Sequence, residues 1–211
     1  NLVIEFRWAD GNYDRLPELA VELVRLKVDV IVTHGAPGAL AAKRATTTIP
    51  IVIASTGDAI TSGLVASLAR PGGNMTGLSF FSPELNAKRL ELLKEVFPRI
   101  QRVAVLINSG NASNAWVLEA MDLTAKALKV ELRRFAVRSP SDFESALAAM
   151  TRPRVEALVI REDPLFIAHA GALAGLASKQ RMPAIGFIEL AEAGGLIAYG
   201  VSFPAMFRRS A

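Results

Sequence analysis

The stretch Val28-Asp-Val-Ile-Val-Thr33, followed by an alanine-rich helical segment ending at Lys43-Arg44 and then by Ile49-Pro-Ile-Val-Ile53, decides the fold class. Short apolar runs separated by a helix-length segment build parallel strands joined by a crossover helix. The pattern returns as Val155-Glu-Ala-Leu-Val-Ile160, an alanine-rich helix ending at Lys179-Gln180, and Met182-Pro-Ala-Ile-Gly186. Each copy runs on to a Gly-Gly strand: Gly72-Gly-Asn-Met-Thr-Gly-Leu-Ser-Phe80 in the first, Gly194-Gly-Leu-Ile-Ala-Tyr-Gly-Val-Ser-Phe203 in the second. Any two β-α-β units share strand patterns, but the paired Gly-Gly…Gly-x-Ser-Phe endings are less common. They point to two similar α/β lobes rather than one long sheet.

Working outward, the apolar runs predict strands at Leu2–Phe6, Val28–Thr33, Ile51–Ala54, Thr76–Phe80, Val103–Asn108, Glu131–Ala136, Ala157–Ile160, Ala184–Phe187 and Leu196–Tyr199. Amphipathic spacing predicts helices at Leu16–Leu26, Pro83–Val96, Asn114–Leu128 and Ser141–Met150, the last with Ser141 as cap and Glu144 three residues on. If each Gly-x-Ser-Phe ending closes a sheet, the chain crosses between lobes just after it, where Pro83 or Pro204 opens a helix. Residues 1–79 then form one lobe and 80–198 the second, and Tyr199 starts the return to the first. Phe80, Phe81, Tyr199 and Gly200 are the hinge candidates.

With 211 residues, 51% hydrophobic and 21% charged, the chain can bury one sizeable core or two small ones. No apolar run reaches the length of a membrane span, and no signal-peptide pattern is visible at the start. The absence of cysteine excludes disulfides, thiolate metal sites and a cysteine nucleophile, and fits either an oxidising or a reducing compartment. The net charge of +4 comes from scattered basic residues without a stripe of interleaved aromatics, which argues against nucleic acid as partner.

Open parallel sheets bind ligands beyond the carboxyl ends of their strands, beside helix N-termini with free N–H groups. Thr33-His34-Gly35, Ser55-Thr56-Gly57-Asp58, Asn108-Ser109-Gly110, Arg161-Glu162-Asp163 and Phe187-Ile188-Glu189 are such strand ends. Small hydroxyls and glycines let a ligand approach the backbone, and Asp58, Asp163 or Glu189 could pair with an ammonium group. Each has a plainer reading. Ser55, Thr56 and Asp58 could cap a following helix, Asn108 to Asn111 is a turn sequence, and Asp163-Pro164 reads as a helix start. His34 could be a base or metal ligand, but the second histidine, His169, falls inside a predicted helix far along the chain.

Dinucleotide, phosphate-loop, Gly-x-Ser-x-Gly and paired-histidine zinc patterns are missing. No metal or cofactor is expected. An enzyme could still be assembled from Asp58 and Glu189 with His34, and an effector domain of a transcription regulator is a further alternative.

The block Leu64-Val-Ala-Ser-Leu-Ala-Arg-Pro-Gly-Gly-Asn-Met-Thr-Gly77, the following Leu85-Asn-Ala-Lys-Arg-Leu-Glu-Leu-Leu-Lys94 and Glu192-Ala-Gly-Gly-Leu-Ile-Ala-Tyr-Gly200 resemble the ABC-transporter substrate-binding proteins of the tryptophan/tyrosine-binding kind. The resemblance runs over essentially the whole chain. It implies the type I periplasmic binding fold, with two lobes closing on a small solute, an aromatic or other amino acid, in an extracytoplasmic receptor that serves membrane permease subunits and catalyses nothing. It further implies Asp58 as partner of an ammonium, with the hydroxyls and N–H groups near Ser55 and Thr56 for a carboxylate. Asp58 is followed here by Ala59, where the family often has proline. Family members carry elements before Leu2–Phe6 and beyond Ala211, so the first lobe is expected to be incomplete at both ends, with an exposed sheet edge prone to self-association.

Overall fold

A computed structural model describes residues 2–210. The chain divides into two compact units, Asn1–Phe80 with Phe203–Ala211, and Phe81–Ser202. The second crossing thus falls after Ser202, with Tyr199 still in the second unit.

The first unit contains helix α1 (Leu16–Arg25), strand β1 (Ile31–Thr33), α2 (Gly35–Ala45), β2 (Ile51–Gly57) and β3 (Met75–Phe80), with the returning helix at Phe203–Ser210. Its sheet has the order β1-β2-β3, all parallel, with Ile31 opposite Ile51 and Ile51 opposite Met75. Ile31, Ala39, Ala42, Ile51, Ile53, Ala59, Leu64 and Met75 make its core. The alanines of α2 keep that helix close to the strands, and Gly38 leaves room for the Thr33 hydroxyl, with which a β-carbon would collide.

Leu2–Phe6 is not a strand. Leu2 is 88% exposed and Val3 78%, and the segment makes no ladder. An alternating apolar pattern becomes a strand only where one face is buried and an edge accepts its hydrogen bonds. Here the Phe6 and Trp8 rings stack on each other at 5.8 Å, and Arg7 Nε donates to Glu22 Oε2 at 2.7 Å.

The second unit contains α3 (Ser82–Val96), β4 (Arg102–Asn108), α4 (Asn114–Leu128), β5 (Glu131–Val137), α5 (Phe143–Ala149), β6 (Ala157–Ile160), α6 (Pro164–Ala168), α7 (Ala170–Lys179), β7 (Ala184–Gly186), α8 (Ile188–Glu192) and β8 (Ile197–Ala198). The sheet is wholly parallel in the order β5-β4-β6-β7-β8. Val103 to Leu106 and Ala157 to Ile160 are completely buried, as expected of central parallel strands covered on both faces. The order of strands reverses between β4 and β6, so the carboxyl ends of these two flank the switch point.

The N-cap at residues 139–143 differs from the sequence expectation. Ser139, not Ser141, is the capping residue. Asp142 Oδ2 accepts from the N–H groups of Arg138 and Ser139 at 2.8 and 2.9 Å, which holds its carboxyl below the ordinary range. Pro140 at the first position makes a 3₁₀ turn before α5, and this moves the cap two residues upstream.

Candidate functional site

In the first unit the strand ends carry the expected residues, but β2 runs further than the apolar pattern indicates. Ser55, Thr56 and Gly57 are strand residues and cap no helix. The register against β3 moves from Ile53 opposite Gly77 to Thr56 opposite Ser79, so β2 has one extra residue there. This bulge turns two successive side chains inward: Ser55 and Thr56 are both buried. Gly77, at φ 143°, lets β3 lie against the bulge, since a β-carbon there would strike the Ile53 carbonyl.

Asp58 lies in the left-handed region, φ 47°, and opens a turn rather than a helix. Its N–H donates to the Phe80 carbonyl at 2.7 Å, and its Oδ1 accepts from the Thr61 N–H at 3.1 Å. Ser79 Oγ accepts from the Ala59 N–H at 3.0 Å and so ties the turn to β3. Ser55 Oγ donates to Met206 Sδ at 3.5 Å. The Thr56 hydroxyl is buried and meets no hydrogen-bond partner among the described residues. The cavity it lines with Ile53, Ser67 and Ser79 is about 30 Å³, room for one water and too small for a solute. His34 precedes α2 in extended conformation, its ring edge-on to Phe207 at 5.7 Å, and Gly35 begins that helix at φ 73°. Thr33 ends β1 against Gly38.

In the second unit the polar residues at the switch point are bound to one another. Asp163 caps α6: Oδ1 accepts from the Leu165 N–H at 2.9 Å and from Asn108 Nδ2 at 3.2 Å, and Oδ2 accepts from Asn111 Nδ2 at 2.7 Å. Asn108 Oδ1 accepts from the Gly110 N–H at 3.0 Å, and Asn114 Nδ2 donates to the Asn108 carbonyl at 2.7 Å. Arg161 donates to Ser113 Oγ at 2.6 Å and to Asn114 Oδ1. Phe187 is wholly buried and precedes α8 as its capping residue, outside the strand. Glu189 sits in the first turn of α8, where a carboxylate is favoured by the helix dipole.

Sequence reasoning missed the buried cluster around Glu162. Ser82 Oγ and Asn86 Nδ2, the latter at 2.8 Å, donate to Glu162 Oε1, and Arg89 Nη1 forms an ion pair with Oε2. Burial acts to raise the Glu162 carboxyl, but the Arg89 and Arg161 guanidiniums and the Ser82 hydroxyl outweigh it and hold it below the usual range. Arg89 Nε donates to the Tyr199 carbonyl at 2.8 Å. Ser82, Asn86 and Arg89 are spaced i, i+4, i+7, one face of α3. That spacing was readable, but on a helix otherwise rich in charge it matches a solvated face equally well.

Of the hinge candidates, Phe80 is buried with its ring edge-on to Phe203 at 5.7 Å, and Phe81 is 61% exposed and caps α3. The Tyr199 N–H donates to the Gly186 carbonyl at 3.0 Å, and Gly200 packs on the Arg89 guanidinium. His169 lies between α6 and α7, its ring edge-on to Phe143 at 5.9 Å. Among the described residues no group of three or more histidine, cysteine or acidic side chains is placed to hold a metal, and no helix is long and apolar enough to cross a membrane.

The family model for ABC transporter substrate binding protein matches residues 1–206. A tyrosine-binding protein of Clostridioides difficile is 27% identical over 199 residues, 94% of this chain and 56% of that protein, so the chain spans little more than half the length of this curated relative. A conserved domain protein of Vibrio cholerae superposes with TM-score 0.88 at 27% identity, covering all of this chain and 70% of the other. An ABC domain from Streptococcus pneumonia in complex with L-Trp gives 0.87 at 23% identity, covering 99% and 72%, a likeness of fold. The parallel sheets flanked by helices are those of the type I periplasmic binding fold, and the chain belongs to the family of ABC transporter substrate-binding proteins.

Proposed function

We propose that this protein receives a small solute, an aromatic or other amino acid, and delivers it to the permease subunits of an ABC importer outside the cytoplasm. The observation that carries this reading is the family match over residues 1–206. The tyrosine-binding relative supports the solute class. The polar end of β2 supports it chemically: Asp58 retains Oδ2 while Oδ1 holds the turn. In this reading Asp58 takes the ammonium, and backbone N–H groups near Ser55 and Thr56 take the carboxylate, with Thr33, His34 and Gly35 beside them. The second unit contributes Glu189, and the buried Asn108, held by Asp163, and Phe187 shape the strand ends beside it. Solute binding favours a closed arrangement by its differential affinity, with bending at the two chain crossings, around Phe81 and Val201.

The test is a thermal-shift screen of the twenty amino acids, small aromatic acids and nucleosides. A specific solute at 100 times its Kd stabilises the protein by about 2.7 kcal/mol. Stabilisation by ATP or DNA, with none by any amino acid or aromatic acid, would overturn the receptor reading.

The reading includes self-association through the outer edge of β1, where Val30 and Val32 are 47% and 68% exposed. Sedimentation showing a monomer at every concentration would remove that part alone.

A further inference from the structure

Both chain crossings are fastened to the second unit at one place. The first crossing enters α3, and Ser82, the first residue of that helix, donates to Glu162. The second crossing leaves β8, and its Tyr199 carbonyl accepts from Arg89 Nε at 2.8 Å while Gly200 lies against the same guanidinium. Arg89 is in turn paired with Glu162. The two crossings, far apart in sequence, therefore meet through a single ion pair whose side chains are 1% and 5% exposed. A second guanidinium, Arg161, stands beside Glu162, and Asn86 bridges the pair by donating to Glu162 and accepting from Arg89 Nη1 at 3.0 Å.

In the first unit the same two crossings are joined differently, by the edge-on contact of Phe80 with Phe203. Between these fastenings lie Phe81 on one crossing and, before Ser202, which has a partner of its own, Val201 on the other. A buried ion pair contributes little net stability compared with apolar packing, but it fixes geometry, because its partners lose much when misaligned.

We infer that Arg89 and Glu162 are positioning residues, a buried joint that holds both crossings as one rigid piece of the second unit and confines bending to Phe81 and Val201. They touch no solute in this assignment. Their influence on solute affinity rests on the receptor function proposed above, but the joint itself does not.

Amide hydrogen exchange on solute-free protein tests the joint without reference to any ligand. Ser82→Ala and Gly200→Ala each disturb one crossing and leave the Arg89–Glu162 charges in place. A shared joint predicts reciprocal loosening: Ser82→Ala accelerates exchange of the Tyr199 amide, and Gly200→Ala accelerates that of the Leu85 amide, each by about tenfold, with the β4 amides unchanged. Arg89→Met accelerates both together. Loosening confined to the mutated crossing would overturn the inference, as would uniform acceleration that includes β4. Failure of the thermal-shift screen would leave this result standing, and failure here would leave the receptor reading standing.

Discussion

At the end of β2 the Thr56 hydroxyl is buried without a protein partner and Asp58 uses one carboxylate oxygen on its own turn. At the ends of β4 and β6, by contrast, Asp163 and Glu162 each have protein donors on both oxygens. The same residue types at equivalent places in two parallel sheets thus do different things. In the first unit hydrogen-bonding capacity is left over. In the second the Asp163 and Glu162 carboxylates spend theirs on holding the switch point and the crossings. A carboxylate at a strand end is therefore informative only once its donors are counted.

The comparison can be broken most severely at Glu162. Glu162→Ala leaves Arg89 and Arg161 buried beside no carboxylate, and chemical denaturation should show a loss of about 3–5 kcal/mol. A loss below about 1 kcal/mol would mean that the cluster is not buried as described.

Next in size is Gly77→Ala in the first unit. Its backbone at φ 143° and the Ile53 carbonyl leave no place for a β-carbon, and the variant should lose about 2–4 kcal/mol with the loss centred on β2 and β3. Wild-type stability would show that the bulge rearranges freely.

Acid separates the units by a smaller amount. The Glu162 carboxyl is depressed in the folded state, so its contribution is complete above the ordinary carboxylate value of 4.5 and is lost as pH falls through the folded value. Exchange measured from pH 6 down to 3 should show the amides around Ser82 and Tyr199 losing protection below about pH 4.5, ahead of β2. Loss of β2 protection first would reverse the assignment.

The smallest expected effect is that of Thr56→Val. Replacing an unpartnered buried hydroxyl by a methyl of similar size should leave stability within about 1 kcal/mol of wild type, on the favourable side. A loss of more than about 2 kcal/mol would show that the hydroxyl is satisfied after all, by a water in the adjoining cavity.

Much of this architecture was legible. Asn114–Leu128 and Ala157–Ile160 form the expected helix and strand with the same ends, and Asp163-Pro164 starts a helix as its residue types dictate. The repeated strand-helix-strand pattern reappears as β1-α2-β2-β3 and β6-α7-β7-β8, each in parallel order. Leu2–Phe6 shows the limit of pattern, since its alternation describes a strand but says nothing of a partner edge. Ser55 and Thr56 show another. Whether they cap a helix or continue a strand depends on the bulge and on Gly77 across the ladder, neither of which is local to them. The Glu162 cluster was least legible, because Ser82, Asn86 and Arg89 acquire their meaning from a strand end far along the chain.

Calorimetric titration of the solute found by thermal shift, into wild type, Asp58→Asn and Asp163→Asn at a temperature where all three are folded, tests the contrast between spare and committed carboxylates most directly. The account predicts that Asp58→Asn weakens binding by tenfold or more, on the order of a lost charge-assisted hydrogen bond, while Asp163→Asn changes it far less. Undiminished affinity in Asp58→Asn together with abolished binding in folded Asp163→Asn would contradict it.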